Sequence, residues 1–208
     1  MSGSDGAFAG WTDEQRRREE RQRLDEATRE TQIRTLSSRT VYENPWITVR
    51  EDAIEYADGS RGMYGVIDKP DFAVVVPRQD DGFHLVEQYR YTLGGRRWEF
   101  PQGAFPNGET GTPEELAARE LAEETGFTAA RLERLGYLNC AQGFTGQGYH
   151  ILLATDLTPG EPNREPTEQD MRTQWFPRGE VERMIRDGVI TDDSTLAAYL
   201  LLVMRERG

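Results

Sequence analysis

Residues 103–127 read GAFPNGETGTPEELAARELAEETGF, and the second half of that stretch is a helix with both of its ends marked. Thr112 can cap it, Pro113 suits its first position, Glu115 completes a capping box with Thr112, and Gly126 stands where a C-terminal glycine is expected. The prediction is a helix from Pro113 to about Thr125. On a wheel of about 100° per residue with Glu120 at zero, Glu123 falls at about 300°, Glu124 at about 40° and Leu116 at about 320°. Three carboxylates and a leucine therefore share one arc of about 100°.

Like charges at i,i+4 cost roughly 0.2–0.5 kcal/mol on a solvated helix, and a bound divalent cation reverses that cost. Mg²⁺ and Mn²⁺ favour oxygen ligands, and Mg²⁺ typically takes carboxylates together with waters and phosphate oxygens of a substrate. Arg119 is placed to orient one of the carboxylates by a charge-assisted hydrogen bond. The plain alternative is a charged surface helix, since Glu is a good helix former.

Outward from this helix the pattern changes to strands. Ile47 and Val49 alternate with polar neighbours, Ile54 and Tyr56 continue beyond Glu51-Asp52, Asp58-Gly59 reads as a hairpin turn, and Met63 to Ile67 is the return strand. Phe72 to Val76 is a continuous apolar run of the kind found in a buried strand, and Asp80-Asp81-Gly82 turns it into a strand from Phe83 to Arg90. Trp98 to Pro101 is expected to be extended. Downstream, strands are expected at Arg134 to Cys140, Gly148 to Leu157 and Thr173 to Phe176, with a polar loop from Thr158 to Met171 and helices at Glu180 to Arg186 and Ser194 to Arg205. This order makes an α/β fold: a mixed sheet covered by helices on both faces.

The segment 1–38 differs in kind. Thr12 to Arg34 is dominated by Arg, Glu, Gln and Asp with sparse apolar points, so it reads as a charged N-terminal extension, either a solvated tail or a helix docked on the body or a second subunit. The remaining residues, 39–208, form one domain. Thirty-seven acidic against 25 basic residues give a net charge of −12, which argues against a nucleic-acid binder that neutralises many phosphates. Cys140 is the only cysteine, so neither an intrachain disulfide nor a Cys-rich zinc site can form. No apolar run approaches the ~20 residues of a membrane span, and no secretory leader is visible. A cytoplasmic location is expected.

Gly103, Glu109, Arg119, Glu120, Leu121, Glu123, Glu124, Gly126 and Phe127 match the Nudix box in residue type and order, and the chain resembles that family from about residue 40 to its end. Nine residues separate Glu109 from Arg119 where the family pattern has seven, and the excess falls in the loop before the helix. The resemblance implies the Nudix fold, an α/β/α sandwich. It implies Glu120 and Glu124 as the principal ligands of Mg²⁺ or Mn²⁺, Glu123 as a third ligand or a partner of the ligands, and the backbone carbonyl of Gln102 as a further donor.

Upstream, Glu87-Gln88-Tyr89-Arg90-Tyr91 and Trp98-Glu99-Phe100-Pro101-Gln102-Gly103 are similar to segments of the ADP-ribose and nucleoside-diphosphate-sugar pyrophosphatase branch. By that resemblance Arg90 contacts substrate, and its planar fork suits a phosphate or a nucleobase. Glu99 either binds a ribose hydroxyl or pairs with Arg90. Gln142-Gly143-Phe144 stands where the branch has Pro-Gly-Phe, so Phe144 is carried over as a substrate contact while Gln142 replaces the proline typical of ADP-ribose hydrolases. The loop from Glu161 to Asp170 takes the place of one that carries a water-activating glutamate; Glu168 is the choice and Glu165 the second. His84 and His150, in strands, are read as packing or surface residues. Members of the branch commonly form dimers, which makes a homodimer the expectation and puts Tyr42, Trp46 and Tyr64 among residues that stack on a base or pack in the core.

The expected activity is metal-dependent hydrolysis of a nucleoside diphosphate derivative, ADP-ribose or a nucleotide sugar, to a nucleoside monophosphate and a sugar phosphate. Hydrolysis of a dinucleotide or diphosphate coenzyme is the alternative within enzymes. A non-catalytic nucleotide-sensing module is the alternative outside them, set against the presence of all three box glutamates.

Overall fold

The computed structural model describes residues 32–105, 109–164 and 169–207. The described residues fall into two compact units, one of residues 32–41 with 50–65 and one of residues 42–49 with 66–207.

The first unit holds most of a three-stranded sheet of β1 (Ile33–Glu43), β2 (Thr48–Tyr56) and β3 (Arg61–Asp68), in that order. The Asp58-Gly59 turn forms as expected: Gly59 takes φ 81°, the left-handed region open to glycine, and Asp58 accepts from both the backbone N–H and the hydroxyl of Ser60. Ion pairs Arg34–Glu55 and Arg39–Glu51 cross the sheet surface. β1 starts at Ile33, inside the stretch read as a charged extension, and all eleven of its residues are exposed. A strand with neither face buried shows no alternation in its sequence, so the backbone ladder to β2 defines it and the side chains do not announce it. Residues 1–31 of the extension lie outside the described residues.

The second unit carries a mixed sheet in the order β10–β5–β4–β9–β8 (Arg172–Pro177, Gly82–Arg90, Phe72–Gln79, Gly148–Thr158, Thr128–Asn139). The central pair β4 and β9 is parallel, in register from Phe72 opposite Tyr149 to Pro77 opposite Ala154; its other pairings are antiparallel. β6 (Gly95–Glu99) pairs with β5, and β7 (Gln102–Ala104) with β4. β8 begins at Thr128, earlier than the expected Arg134, because the ladder to β9 overrides a sequence of helix-forming residues between Ala129 and Glu133.

Among the described residues three helices cover this sheet: α1 (Pro113–Thr125), α2 (Arg178–Arg186) and α3 (Asp193–Arg207). The strand period of two sorts the core. Ala73, Val75, Leu152 and Ala154 meet Leu116, Ala117 and Leu121 of α1. Val74, Val76, Ile151 and Leu153 belong instead to a cluster with Val181 and Met184 of α2 and Ala198 and Leu202 of α3. Both faces of β4 and β9 are therefore dry, and the expected sandwich is present. No helix of the described residues is long and apolar enough to cross a membrane.

Candidate active site

Helix α1 is held at its N-terminus by the expected capping box, with Glu115 N–H donating to Thr112 Oγ1 at 3.2 Å and Thr112 N–H to Glu115 at 2.8 Å. Leu116 and Leu121 fix its rotation against the sheet, and that rotation carries Glu120 and Glu124, one turn apart, into the interior. Glu124 is 1% exposed and Glu120 8%. Two carboxylates buried at i,i+4 belong to a site for a hard cation far more than to a solvated face.

The floor of that site is β7. A Cβ on Gly103 would lie 2.5–2.7 Å from the carboxylate atoms of Glu120, so only glycine lets this side chain close on the strand. Glu123 takes a different place. It is half-buried and 4.0 Å from Arg119 Nε, on the rim. Arg119 donates to Glu109 at 2.7 Å, and its guanidinium lies 4.8 Å from the centre of the Phe105 ring. The lengthened loop thus returns Glu109 to the helix as a partner of Arg119. Among the described residues no three acidic, histidine or cysteine side chains form a ready-made cage. The donors present, two inward carboxylates, one of them closed on Gly103 of β7, with Glu123 at the edge, fit a divalent cation that keeps waters and takes substrate oxygens.

Gln102, expected to offer its backbone carbonyl, is anchored by its side chain on the opposite helix. Its Oε1 accepts from Ser194 at 2.6 Å and its Nε2 donates to Asp192 at 3.3 Å. Asp192 Oδ2 also accepts from the N–H and hydroxyl of Thr195, and Thr195 Oγ1 accepts from Phe100 N–H at 2.9 Å. The start of α3 therefore sets the position of the Phe100–Gln102 segment.

Arg90 and Glu99 meet: Arg90 Nε donates to Glu99 Oε2 at 3.1 Å and Nη2 to Oε1 at 2.5 Å, with Gln88 donating to the same Oε1 at 2.6 Å. Glu99 is 1% exposed, and burial raises its carboxyl above the ordinary range, against the pull of Arg90. Both residues line a pocket of about 400 Å³ with Leu93, Arg97, Asp192 and Asp193. The expected pairing of Glu99 with Arg90 is thus present.

Phe144 lies apart from that pocket, half-exposed in the turn after β8, where its carbonyl accepts from Ile67 N–H at 2.8 Å. Trp46 is 74% exposed above a second pocket of about 460 Å³ lined by Asn44, Ile47, Asp68 and Lys69; Tyr42 and Tyr64 are also exposed, so none of the three is a core residue. His84 packs on Phe127 and bonds Gln79, and His150 packs on Tyr137, which agrees with their reading as packing residues. Glu165 and Glu168 lie outside the described residues. Asp192 and Arg164, a residue bonded to the end of α1, were not visible in the sequence as parts of the site.

The geometry has counterparts in known proteins. A family model described as the NUDIX domain matches residues 68–199, and one described as the nucleoside diphosphate sugar hydrolase N-terminal domain matches residues 33–67. The chain is 33% identical to an ADP-ribose pyrophosphatase of Mycobacterium tuberculosis over 82% of this chain and 83% of that protein. It is 29% identical to an ADP-ribose pyrophosphatase of Bacillus subtilis over 83% and 94%. A crystal structure of an ADP compounds hydrolase superposes with a TM-score of 0.76 at 25% identity, covering 86% of this chain and 96% of that one. With a helix that buries two box glutamates and a family model spanning residues 68–199, the protein belongs to the Nudix family.

Proposed function

We propose that this Nudix hydrolase cleaves the diphosphate of ADP-ribose or a nucleotide sugar, giving a nucleoside monophosphate and a sugar phosphate, with Mg²⁺ or Mn²⁺. The observation that carries the reading is the burial of Glu120 and Glu124 beside Gly103. The names of the relatives, two ADP-ribose pyrophosphatases, support the substrate class.

The chemistry a divalent ion would supply there is charge neutralisation of the diphosphate and a lowered pKa of a bound water. Glu120 and Glu124 would hold the ion, with the Gln102 carbonyl as a strand-borne donor and Glu123 at the rim. Arg119, braced by Glu109, keeps Glu123 turned to the helix end of the site. Arg90, oriented by buried Glu99, presents its remaining N–H groups to the pocket as donors for the substrate. Phe144 is assigned a substrate contact and Glu168 the activation of water, both by the family resemblance.

A homodimer is part of the proposal. Ile33, Leu36, Val41, Met63 and Tyr64 expose apolar surface on the β1–β3 sheet, which a second copy would cover. The cytoplasm is the proposed location, consistent with the lone Cys140.

The test is a panel of ADP-ribose, nucleotide sugars, dinucleotides and diphosphate coenzymes with Mg²⁺ or Mn²⁺, with products identified by chromatography. Turnover of ADP-ribose or a nucleotide sugar, lost in Glu124→Gln with ligand binding kept, is the expected result. A wild-type protein that binds but turns over nothing on the panel would point to a sensing module, and preference for a coenzyme would move the substrate class.

A further inference from the structure

Helix α1 ends without a cation of its own: its last turn holds no basic residue. Its final carbonyls have no partners within the helix, and they carry the negative end of its dipole. Each of three is met from elsewhere. Ala122 O accepts from Gly126 N–H at 2.9 Å, Glu123 O from Asn163 N–H at 3.0 Å, and Glu124 O from Arg164 Nε at 3.1 Å and Thr173 Oγ1 at 3.3 Å.

Arg164 does more than cap. Its Nη1 donates to Met171 O at 2.5 Å and its Nη2 to Thr173 Oγ1 at 3.1 Å. One half-buried guanidinium thus ties the helix end, the neck of the β9–β10 loop and strand β10 together, through two backbone carbonyls and a hydroxyl. The approach is possible because position 126 is glycine, where a Cβ would meet Pro162 N at 2.9 Å.

We infer that Arg164 is a positioning residue for the cation site, acting through the backbone of Glu124. The inference rests on the assignment of Glu124 as a ligand in the proposed function. A ligand carboxylate works only when held within about 0.5 Å of its productive place. The carbonyl bonded to Arg164 belongs to the same residue as that carboxylate, so a shift of the helix end moves the donor. Lysine cannot replace the fork, because an ammonium is a point charge that does not span three acceptors in fixed directions.

The experiment is a titration of the full chain with Mn²⁺ alone, free ion read by electron paramagnetic resonance, for wild type, Glu124→Gln, Arg164→Ala and Arg164→Lys, each checked for a native circular dichroism spectrum. Removing residues that orient metal ligands typically weakens affinity 10–100-fold. Arg164→Ala is expected to bind Mn²⁺ about tenfold more weakly. It should raise the Mg²⁺ needed for half-maximal activity by a similar factor, with substrate KM at saturating Mg²⁺ within about twofold of wild type. Arg164→Lys should recover only part of the loss. Wild-type Mn²⁺ affinity in Arg164→Ala, with weakened binding in Glu124→Gln, overturns this inference alone; wild-type affinity in Glu124→Gln removes the ligand assignment as well. Should Arg164→Ala fail to fold, Arg164→Met keeps the packing of the stem, removes all the guanidinium donors to the carbonyls and is expected to weaken Mn²⁺ about tenfold, an unchanged affinity again overturning the inference.

Discussion

Gly103 and Glu120 share a space that only one of them can fill: a methyl group on the first would stand 2.5–2.7 Å from the carboxylate of the second. The glycine of the strand and the glutamate of the helix are therefore a single structural unit. Gly103→Ala is expected to turn the Glu120 side chain away while the sandwich stays folded, because the clash is with the movable end of a side chain. Turnover at fixed Mg²⁺ should fall by about 10–100-fold, as for other losses of ligand orientation. Steady-state kinetics beside a melting curve would check this, and full activity in a folded Gly103→Ala protein would refute it.

Arg90 and Glu99 make a prediction with a pH signature. Burial already raises the Glu99 carboxyl, and Arg90 is the counterweight that lowers it again. Arg90→Ala leaves an ionised, enclosed carboxylate with Gln88 as its remaining side-chain donor. The expected cost is about 1–3 kcal/mol near pH 8, moderated because Arg90 itself is partly exposed. The folded variant should hold the Glu99 proton to higher pH than wild type. Its stability deficit is then largest in alkali and shrinks as pH falls through that raised value. Melting temperatures of both proteins from pH 8 to pH 5 would show the gap narrowing; a constant gap would count against it.

His84 works with the opposite sign. Enclosure between Phe127 and the sheet lowers its pKa from 6.5, because the charged imidazolium loses its hydration. The neutral ring contributes stability that is present above the unfolded value and is lost as pH falls below it. Between pH 7.5 and pH 5.5 wild type should lose melting temperature faster than His84→Gln. Parallel slopes would show that His84 does not report this transition.

Gly126 adopts φ 80°, and its α face opens onto the backbone of residues 160–162. Gly126→Ala meets both a left-handed backbone and a fixed neighbour, so about 1–3 kcal/mol of stability should be lost. Chemical denaturation gives the number directly, and a change under 0.5 kcal/mol would contradict the docking of that loop.

The parts of this protein that could be read from its sequence are those governed by near neighbours. The Thr112–Glu115 box, the Gly126 stop and the three-residue and four-residue spacing of Glu120, Glu123 and Glu124 act within one or two turns of helix, and each is present. The buried strand Phe72 to Val76 is legible for the same reason, since a continuous apolar run needs both faces covered. What escaped depends on partners far along the chain. Arg164 reaches back 40 residues to Glu124, and Asp192 reaches back 90 to Gln102, distances over which no local period carries information. The start of β1, Ile33 to Ser38, is not legible as a strand because an exposed strand has no buried face to mark it. The wheel placed three glutamates on one arc, and the structure separates them by depth: Glu120 and Glu124 go inward, and Glu123 turns to Arg119.

The parallel ladder between β4 and β9 also dictates an order of events. Residues 72–77 cannot form this parallel ladder until residues 149–154 exist, and α1 with every box residue lies inside the loop that it closes. Bringing the ends of so long a loop together is an entropic cost met before any of the ladder's bonds are gained, which slows folding more than it alters final stability. On a ribosome, α1 emerges well before β9. Nascent chains that stop short of residue 148 should have helix but no chelating ability, and assembly of a competent hydrolase is thereby postponed until the greater part of the polypeptide has been made.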